Sequence, residues 1–232
     1  MKPASPIARA WAVCAKDAAQ EARQRIALAS ILFFAATALT LVSFAIGPAG
    51  FAREERATLH AAVLWILLFF STATGLPRAF VREEETGTAL ALRKTAPGIT
   101  VLAGKTLFNY FLFAAIAAVT VPGLSILVGW EIASPGALAV VLATSGFGLT
   151  VVSTFLSALV ARAGGKNVLF VLVCFPLLVP LLLSAIAATV AAAGGGTAAG
   201  GELAATPLRV IVAYDGAATC AAYLLAAAAW EE

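Results

Sequence analysis

Charged residues fall in clusters, and the stretches between the clusters carry none. The uncharged runs are 26–46 (21 residues), 106–130 (25 residues), 132–161 (30 residues) and 167–201 (35 residues). A helix needs about 20 mainly apolar residues to cross the ~30 Å hydrocarbon core of a bilayer. None of the runs has the alternating polarity of a lipid-facing barrel strand. The pattern predicts an all-α polytopic membrane protein with six transmembrane helices, at about 26–46, 59–80, 106–128, 135–161, 167–192 and 208–230. Turn-forming clusters separate several of them: "GPAG" at 47–50, "EIASPG" at 131–136, "RAGGKN" at 162–167 and "GGGTAAGGE" at 194–202. The fourth and fifth runs are longer than one straight span requires, so short helices or re-entrant segments are expected at one surface.

Ahead of the first span, the spacing of Ile7, Ala10, Trp11, Cys14 and Ala18 puts them on one side of a helix. Lys16, Asp17, Gln20, Arg23 and Gln24 fall mostly on the other. A basic amphipathic helix in this position is expected to lie in the membrane interface; the plainer alternative is a tail that only sets topology. The apolar run behind it is too long for the core of a cleavable signal. The chain thus divides into a cytoplasmic amphipathic interfacial helix over 1–25 and a six-span domain over 26–230.

Orientation follows from the basic residues. With the N-terminus inside, the cytoplasmic segments hold Lys2, Arg9, Lys16, Arg23, Arg25, Arg78, Arg82, Arg93, Lys94, Lys105, Arg162 and Lys166, twelve of the fifteen Lys and Arg. Arg53, Arg56 and Arg209 remain on the other side. That asymmetry satisfies the positive-inside rule and places both termini in the cytoplasm. The composition agrees: 62% of residues are hydrophobic, 12% are charged, and mean hydropathy is +0.98. The net charge of +3 is then a topology signal and carries no indication of nucleic-acid binding. Trp130 and Trp230 stand at predicted span ends, where indoles favour the interface.

Candidate chemistry is sparse. "APGITVLAGKT" (96–106) ends in the Gly-Lys-Thr of a phosphate loop, but five residues separate Gly98 from Gly104 where a P-loop has four. A membrane span follows directly, and Lys105 reads as a snorkelling anchor at its inner end. His60 is the only histidine, at the predicted start of the second span; an interfacial polar residue is the plain reading and a haem ligand the sharper one. Cys14, Cys174 and Cys220 form no paired motif. No catalytic or metal residue is assigned, and the chain is expected not to be an enzyme by itself. Polar residues concentrate in 78–105, "RAFVREEETGTALALRKTAPGITVLAGK", a cytoplasmic segment between the second and third spans. It could form a surface helix on which a soluble partner pushes, or an ordinary charged loop. Pro176 and Pro180 interrupt the fifth span as a candidate hinge or a fixed kink. Asp215 is an intramembrane acid in the sixth, and its position near the outer end suggests capping or snorkelling.

Several stretches together resemble the CcmB (haem exporter protein B) family of ABC transporter membrane subunits. They are "KDAAQEARQR" before the first span, "LWILLFFSTATGLPRAFVREEETGTALALRKTAPGITVLAGK", and "FLSALVARAGGKNVLFVLVCFPLLVPLLLSAI" with its two prolines. "AYDGA" and the closing "WEE" complete the likeness, which covers nearly the whole chain. The resemblance implies an ABC-2-like exporter permease of the bacterial inner membrane, acting in cytochrome c maturation. It implies a separate CcmA-type ATPase, partner proteins CcmC and CcmD, and the haem chaperone CcmE, whose loaded form is released with ATP use. Membrane lipid and a homodimer within the complex are further expected partners. ATP would act through the partner subunit, no cofactor would be bound directly, and haem would be the transported or handled species. Arg82, Glu83, Glu84, Glu85, Thr86 and Gly87 match the region expected to couple to the ATPase. The alternatives are an ABC-2-type permease for a lipid or drug, and a non-transporting scaffold of the haem-handling complex.

Overall fold

A computed structural model describes residues 5–23, 25–46, 53–75, 97–162, 167–195 and 204–230. These residues form seven helices: α1 (Pro6–Arg23), α2 (Arg25–Ile46), α3 (Arg53–Gly75), α4 (Gly98–Val128), α5 (Pro135–Arg162), α6 (Asn167–Ala192) and α7 (Ala205–Trp230). Five are long and apolar enough to cross a membrane, over Glu55–Ala73, Gly98–Val128, Pro135–Val160, Leu172–Ala192 and Ala205–Ala226. The described apolar stretch of α2 is Phe33–Ala45, shorter than a span. The molecule is an all-helical, multi-pass membrane protein.

Helices begin where local chemistry permits. Pro97 and Pro135 stand at the starts of α4 and α5, where a missing N–H costs nothing, and Gly129 closes α4 in the left-handed conformation (φ 66°, ψ 37°). Two helices start earlier than expected: α3 by six residues and α4 by eight. In α3 the added residues, 53–58, carry the charges of Arg53, Glu54, Glu55 and Arg56 and need no lipid; in α4 the added residues, 98–105, are mostly apolar and pack against α1. The fourth and fifth apolar runs contain no re-entrant break among the described residues. Each is one continuous helix, Pro135–Arg162 and Asn167–Ala192.

The bundle is built around α4, which packs on α1, α2, α3, α5 and α7, while α5, α6 and α7 contact one another and α3 joins α6. Its largest buried side chains include Trp65, Phe69, Phe113, Leu64, Ile116, Leu149 and Leu178. Trp65 stacks on Phe113 with ring centroids 6.4 Å apart. Buried hydroxyls are spread among them and are tied across helices: Trp65 Nε1 donates to Thr189 Oγ1 (2.9 Å), and Asn109 Nδ2 donates to Thr154 Oγ1 (2.8 Å). Other threonines return their protons to their own helix, as Thr72 does to the Leu68 carbonyl (2.7 Å). Close crossings fall at glycines, which let the backbones approach. A Cβ at Gly146 would run into the Phe113 ring, whereas one at Gly136 would meet nothing within 4 Å.

That contrast is testable with the same substitution at both sites. Alanine gains up to about 1 kcal/mol of helix propensity over glycine, so Gly136→Ala should leave the thermal midpoint in detergent unchanged or raised. Gly146→Ala should lower it by the equivalent of about 1–3 kcal/mol of overpacking, because Phe113 is held by Trp65 and cannot move aside.

Candidate functional site

The first two turns of α4 are not simply a membrane anchor. Over 31 residues the helix is about 46 Å long at 1.5 Å per residue, well beyond the hydrocarbon thickness. α1 lies against its starting end. Ala10, Val13, Cys14 and Asp17 recur at helical spacing, and Val13, Cys14 and Asp17 are buried. Gly104 makes the contact possible: a Cβ there would lie 2.7 Å from Val13 Cβ and strike the Ala10 carbonyl.

Beside that crossing, Lys105 Nζ donates to Asp17 Oδ2 at 3.1 Å, with the side chains 1% and 6% exposed. Lys16 Nζ lies 3.2 Å from the other carboxylate oxygen. Lys105 therefore does not snorkel to the headgroups as its sequence position suggests; α1 covers it and supplies its counter-charge. Nor can Gly104-Lys105-Thr106 cradle a phosphate, since it lies inside a regular helix. The apolar side of α1 is split. Its Cys14 edge turns to α4, while Ile7 and Trp11, one turn apart, remain exposed. Burial, with the Asp17 charge close by, pushes the Cys14 thiol above its ordinary range.

The coupling residues Arg82, Glu83, Glu84, Glu85, Thr86 and Gly87 lie outside the described residues, as does most of 78–105; the segment's last residues are α4 and its clamp. Pro176 and Pro180 both lie within α6, which continues through them. Between the two, Leu177 presents its carbonyl to α7, where Tyr214 Oη donates to it at 2.8 Å. Sequence reasoning missed Tyr214, although a tyrosine beside an intramembrane acid was a signal that a polar crossing lay there. Asp215 stands ten residues into α7 and is 8% exposed. Its carboxylate fills the place a Cβ on Gly148 of α5 would take, Leu181 of α6 lies against the same glycine, and Oδ1 has no hydrogen-bond partner. It is thus a packed residue of the α5–α6–α7 crossing, not one reaching for the surface.

At the far end of the bundle, His60 and Trp130 depart from expectation in the same way. The earlier start of α3 puts His60 two turns inside the helix, 1% exposed, with its ring 6.1 Å from that of Trp130. Trp130 is itself turned inward, away from the interface where an indole at a span end was expected. The Trp230 side chain lies outside the described residues. Cys174 is buried and Cys220 exposed, both as free thiols. No cluster of three or more metal-ligating side chains occurs among the described residues.

Comparison with known families decides what kind of membrane protein carries these features. The profile of the CcmB protein family matches residues 8–231. The chain belongs to the CcmB family. The match begins within α1, so the amphipathic helix and its clamp fall inside the family region together with the spanning helices. Comparison with curated proteins finds no match for this chain. Membership in the CcmB family makes the chain a permease-type membrane component of the haem-export and cytochrome c maturation ABC system, which works with other components of that system.

The clamp predicts a pattern of thiol reactivity. Cys14 should alkylate far more slowly than Cys220 at neutral pH, because it is both covered and held as the thiol. Lys105→Met removes the buried partner and leaves Asp17 only the part-exposed Lys16, so the loss should stay below the ~3–5 kcal/mol of a fully uncompensated buried charge. Cys14 labelling should then accelerate as α1 lifts. Replacing both partners, Asp17→Leu with Lys105→Met, should restore slow labelling, since an apolar pair of similar volume removes the stranded charge.

Proposed function

We propose that this chain is the permease through which a separate ATPase subunit acts, with α1 and the segment before α4 as the receiving end. In this reading α2 is a sixth span and α1 an interfacial helix whose exposed Ile7 and Trp11 dip into the lipid. The twelve-to-three distribution of basic residues supports a cytoplasmic α1 end and two cytoplasmic termini in the bacterial inner membrane. The chain would have no ATPase activity and no directly bound cofactor. A CcmA-type subunit would supply hydrolysis, with CcmC, CcmD and the haem chaperone CcmE as further partners.

The Asp17–Lys105 clamp is the observation that carries this proposal. Lys105 ends the charged segment that begins at Arg78, and through Asp17 it fastens α1 to the helix on which the bundle is built. A partner that docks on Arg82, Glu83, Glu84, Glu85, Thr86 and Gly87 would therefore push on α4 and α1 as one body. The movement would repack interfaces rather than bend the core, as in a domain rotation. The proline-bearing α6 and its Tyr214 link to α7 would be the region where such a shift is absorbed. Its outcome would be export of haem or release of the haem-loaded chaperone on the other face.

Reversing the charge of Glu83 and Glu84 together tests the docking surface. The expected result is a chain inserted at normal levels, ATPase activity no longer responsive to it by roughly tenfold or more, and c-type cytochromes lacking covalent haem stain. Normal cytochrome maturation in that double variant would remove the coupling assignment.

A further inference from the structure

At the bundle end opposite α1, three helix ends enclose a cavity of about 370 Å³. Arg56 and His60 of α3 line one side, Trp130 and Glu131 follow α4, and Gly194 and Gly195 follow α6. The backbone is shaped to keep this space. Gly194 has φ 80°, and a Cβ on Gly195 would come within 2.7 Å of Ala57 Cβ, so the α6 end closes tightly on α3. At Gly129, by contrast, a Cβ would meet no atom within 4 Å, which leaves that side open.

Two buried polar side chains in the lining have unspent hydrogen bonds. Neither ring nitrogen of His60 has a partner, and neither has Trp130 Nε1. Burying a polar group without a partner costs about 1–3 kcal/mol in proteins, and most such groups in folded proteins are satisfied. These two stand side by side, with ring centroids 6.1 Å apart. Their chemistry is weighted to donors: an indole N–H only donates, a guanidinium only donates, and a neutral imidazole donates from one nitrogen and accepts at the other. Arg56 lies one helical turn before His60 and brings a fixed positive charge to the same wall. The complement to this set is rich in acceptors and negatively charged. Glu131, exposed at the rim, disfavours a bare anion there and sets the donor side as the place of contact.

We propose that this cavity is a binding site for an oxyanion-bearing ligand, a phosphate or carboxylate group, held by Arg56, His60 and Trp130. The group arrives either on a lipid headgroup or on a soluble molecule, and the two sources can be told apart. The proposal goes beyond the ATPase coupling above and needs none of it, so failure of either leaves the other standing.

His60 is the only histidine in the chain, which provides a one-site reporter. The full chain, carrying a tag without histidine and labelled with ¹⁵N in His and Trp, is placed in uncharged maltoside micelles. Inorganic phosphate, short-chain phosphatidylglycerol and acetate are titrated in turn. The expected result is a saturable shift of the single imidazole signal together with one indole N–H, which Trp130→Phe removes from the spectrum. Arg56→Gln, a change at an exposed position, should weaken binding by roughly tenfold, as for loss of a charge-assisted hydrogen bond. A response to the lipid alone identifies a headgroup as the source; a response to phosphate or acetate as well identifies a soluble oxyanion. Absence of any shift would mean a merely hydrated cavity and would overturn the proposal. So would a shift that Arg56→Gln leaves unchanged, or haemin binding through His60 that phosphate and acetate do not displace, since the imidazole would then be a metal ligand.

Discussion

Lipid offers helices no hydrophobic reason to associate, because hydrocarbon tails are as apolar as leucine. What brings these helices together has to be close contact and polar pairing, and the bundle shows both. Gly104, Gly123, Gly146 and Gly148 each sit where a neighbouring helix leaves no room for a Cβ. Thr189, Thr154 and Asn109 spend their polar atoms across or along helices at depths where water is scarce. The large aromatics then fill the space that the glycines set: Phe113 can stack on Trp65 only because Gly146 yields to its ring. The order of dependence runs from small residue to aromatic to crossing, and it explains how a chain with few charges still packs in one way.

The clamp between α1 and α4 obeys a different rule. A buried ion pair contributes little net stability, because desolvating two charges offsets most of their attraction. Its consequence is geometric. With Lys105 1% exposed and its Asp17 partner on another helix, α1 cannot leave without separating a buried ion pair. Specific position, more than added stability, is what such a pair gives. The crossing at Gly104 adds shape to charge, so that the register of α1 is fixed at two neighbouring points.

Much of this architecture was legible because membrane helices advertise their length. The uncharged runs located α2, α4, α5 and α6, the apolar stretches 59–80 and 208–230 located α3 and α7, and the spacing of Ile7, Trp11 and Cys14 announced α1. What the runs could not show is which side of a helix faces protein. Lys105, Trp130 and Asp215 were all placed at a membrane surface, since a lone polar residue near a span end most often belongs there. In the fold each turns inward, because another helix covers it: α1 over Lys105, the α3 and α6 ends around Trp130, α5 over Asp215. Two early helix starts deepened the error, carrying His60 two turns inside a helix it was expected to begin. Tyr214 was overlooked for a related reason. The Tyr214–Asp215 pair marked a polar crossing, but its acceptor is a backbone carbonyl on α6, which no side-chain pattern identifies.

The two ends of the bundle are joined by the same helix. α4 has Lys105 near its start and is followed at once by Trp130, so the clamp and the donor-lined cavity bound one continuous element. A rigid helix passes a displacement along its axis with little loss, whereas a helix with interrupted hydrogen bonds absorbs it. α4 carries one internal proline, Pro122, and α6 carries two. The carbonyls facing Pro176 and Pro180 lose their helical donors, and Tyr214 binds the strand of backbone between them. α6 also ends at the cavity, through Ala193, Gly194 and Gly195. A once-interrupted helix and a twice-interrupted one thus converge on the same wall, and relative movement between them would change the width of the space in front of His60.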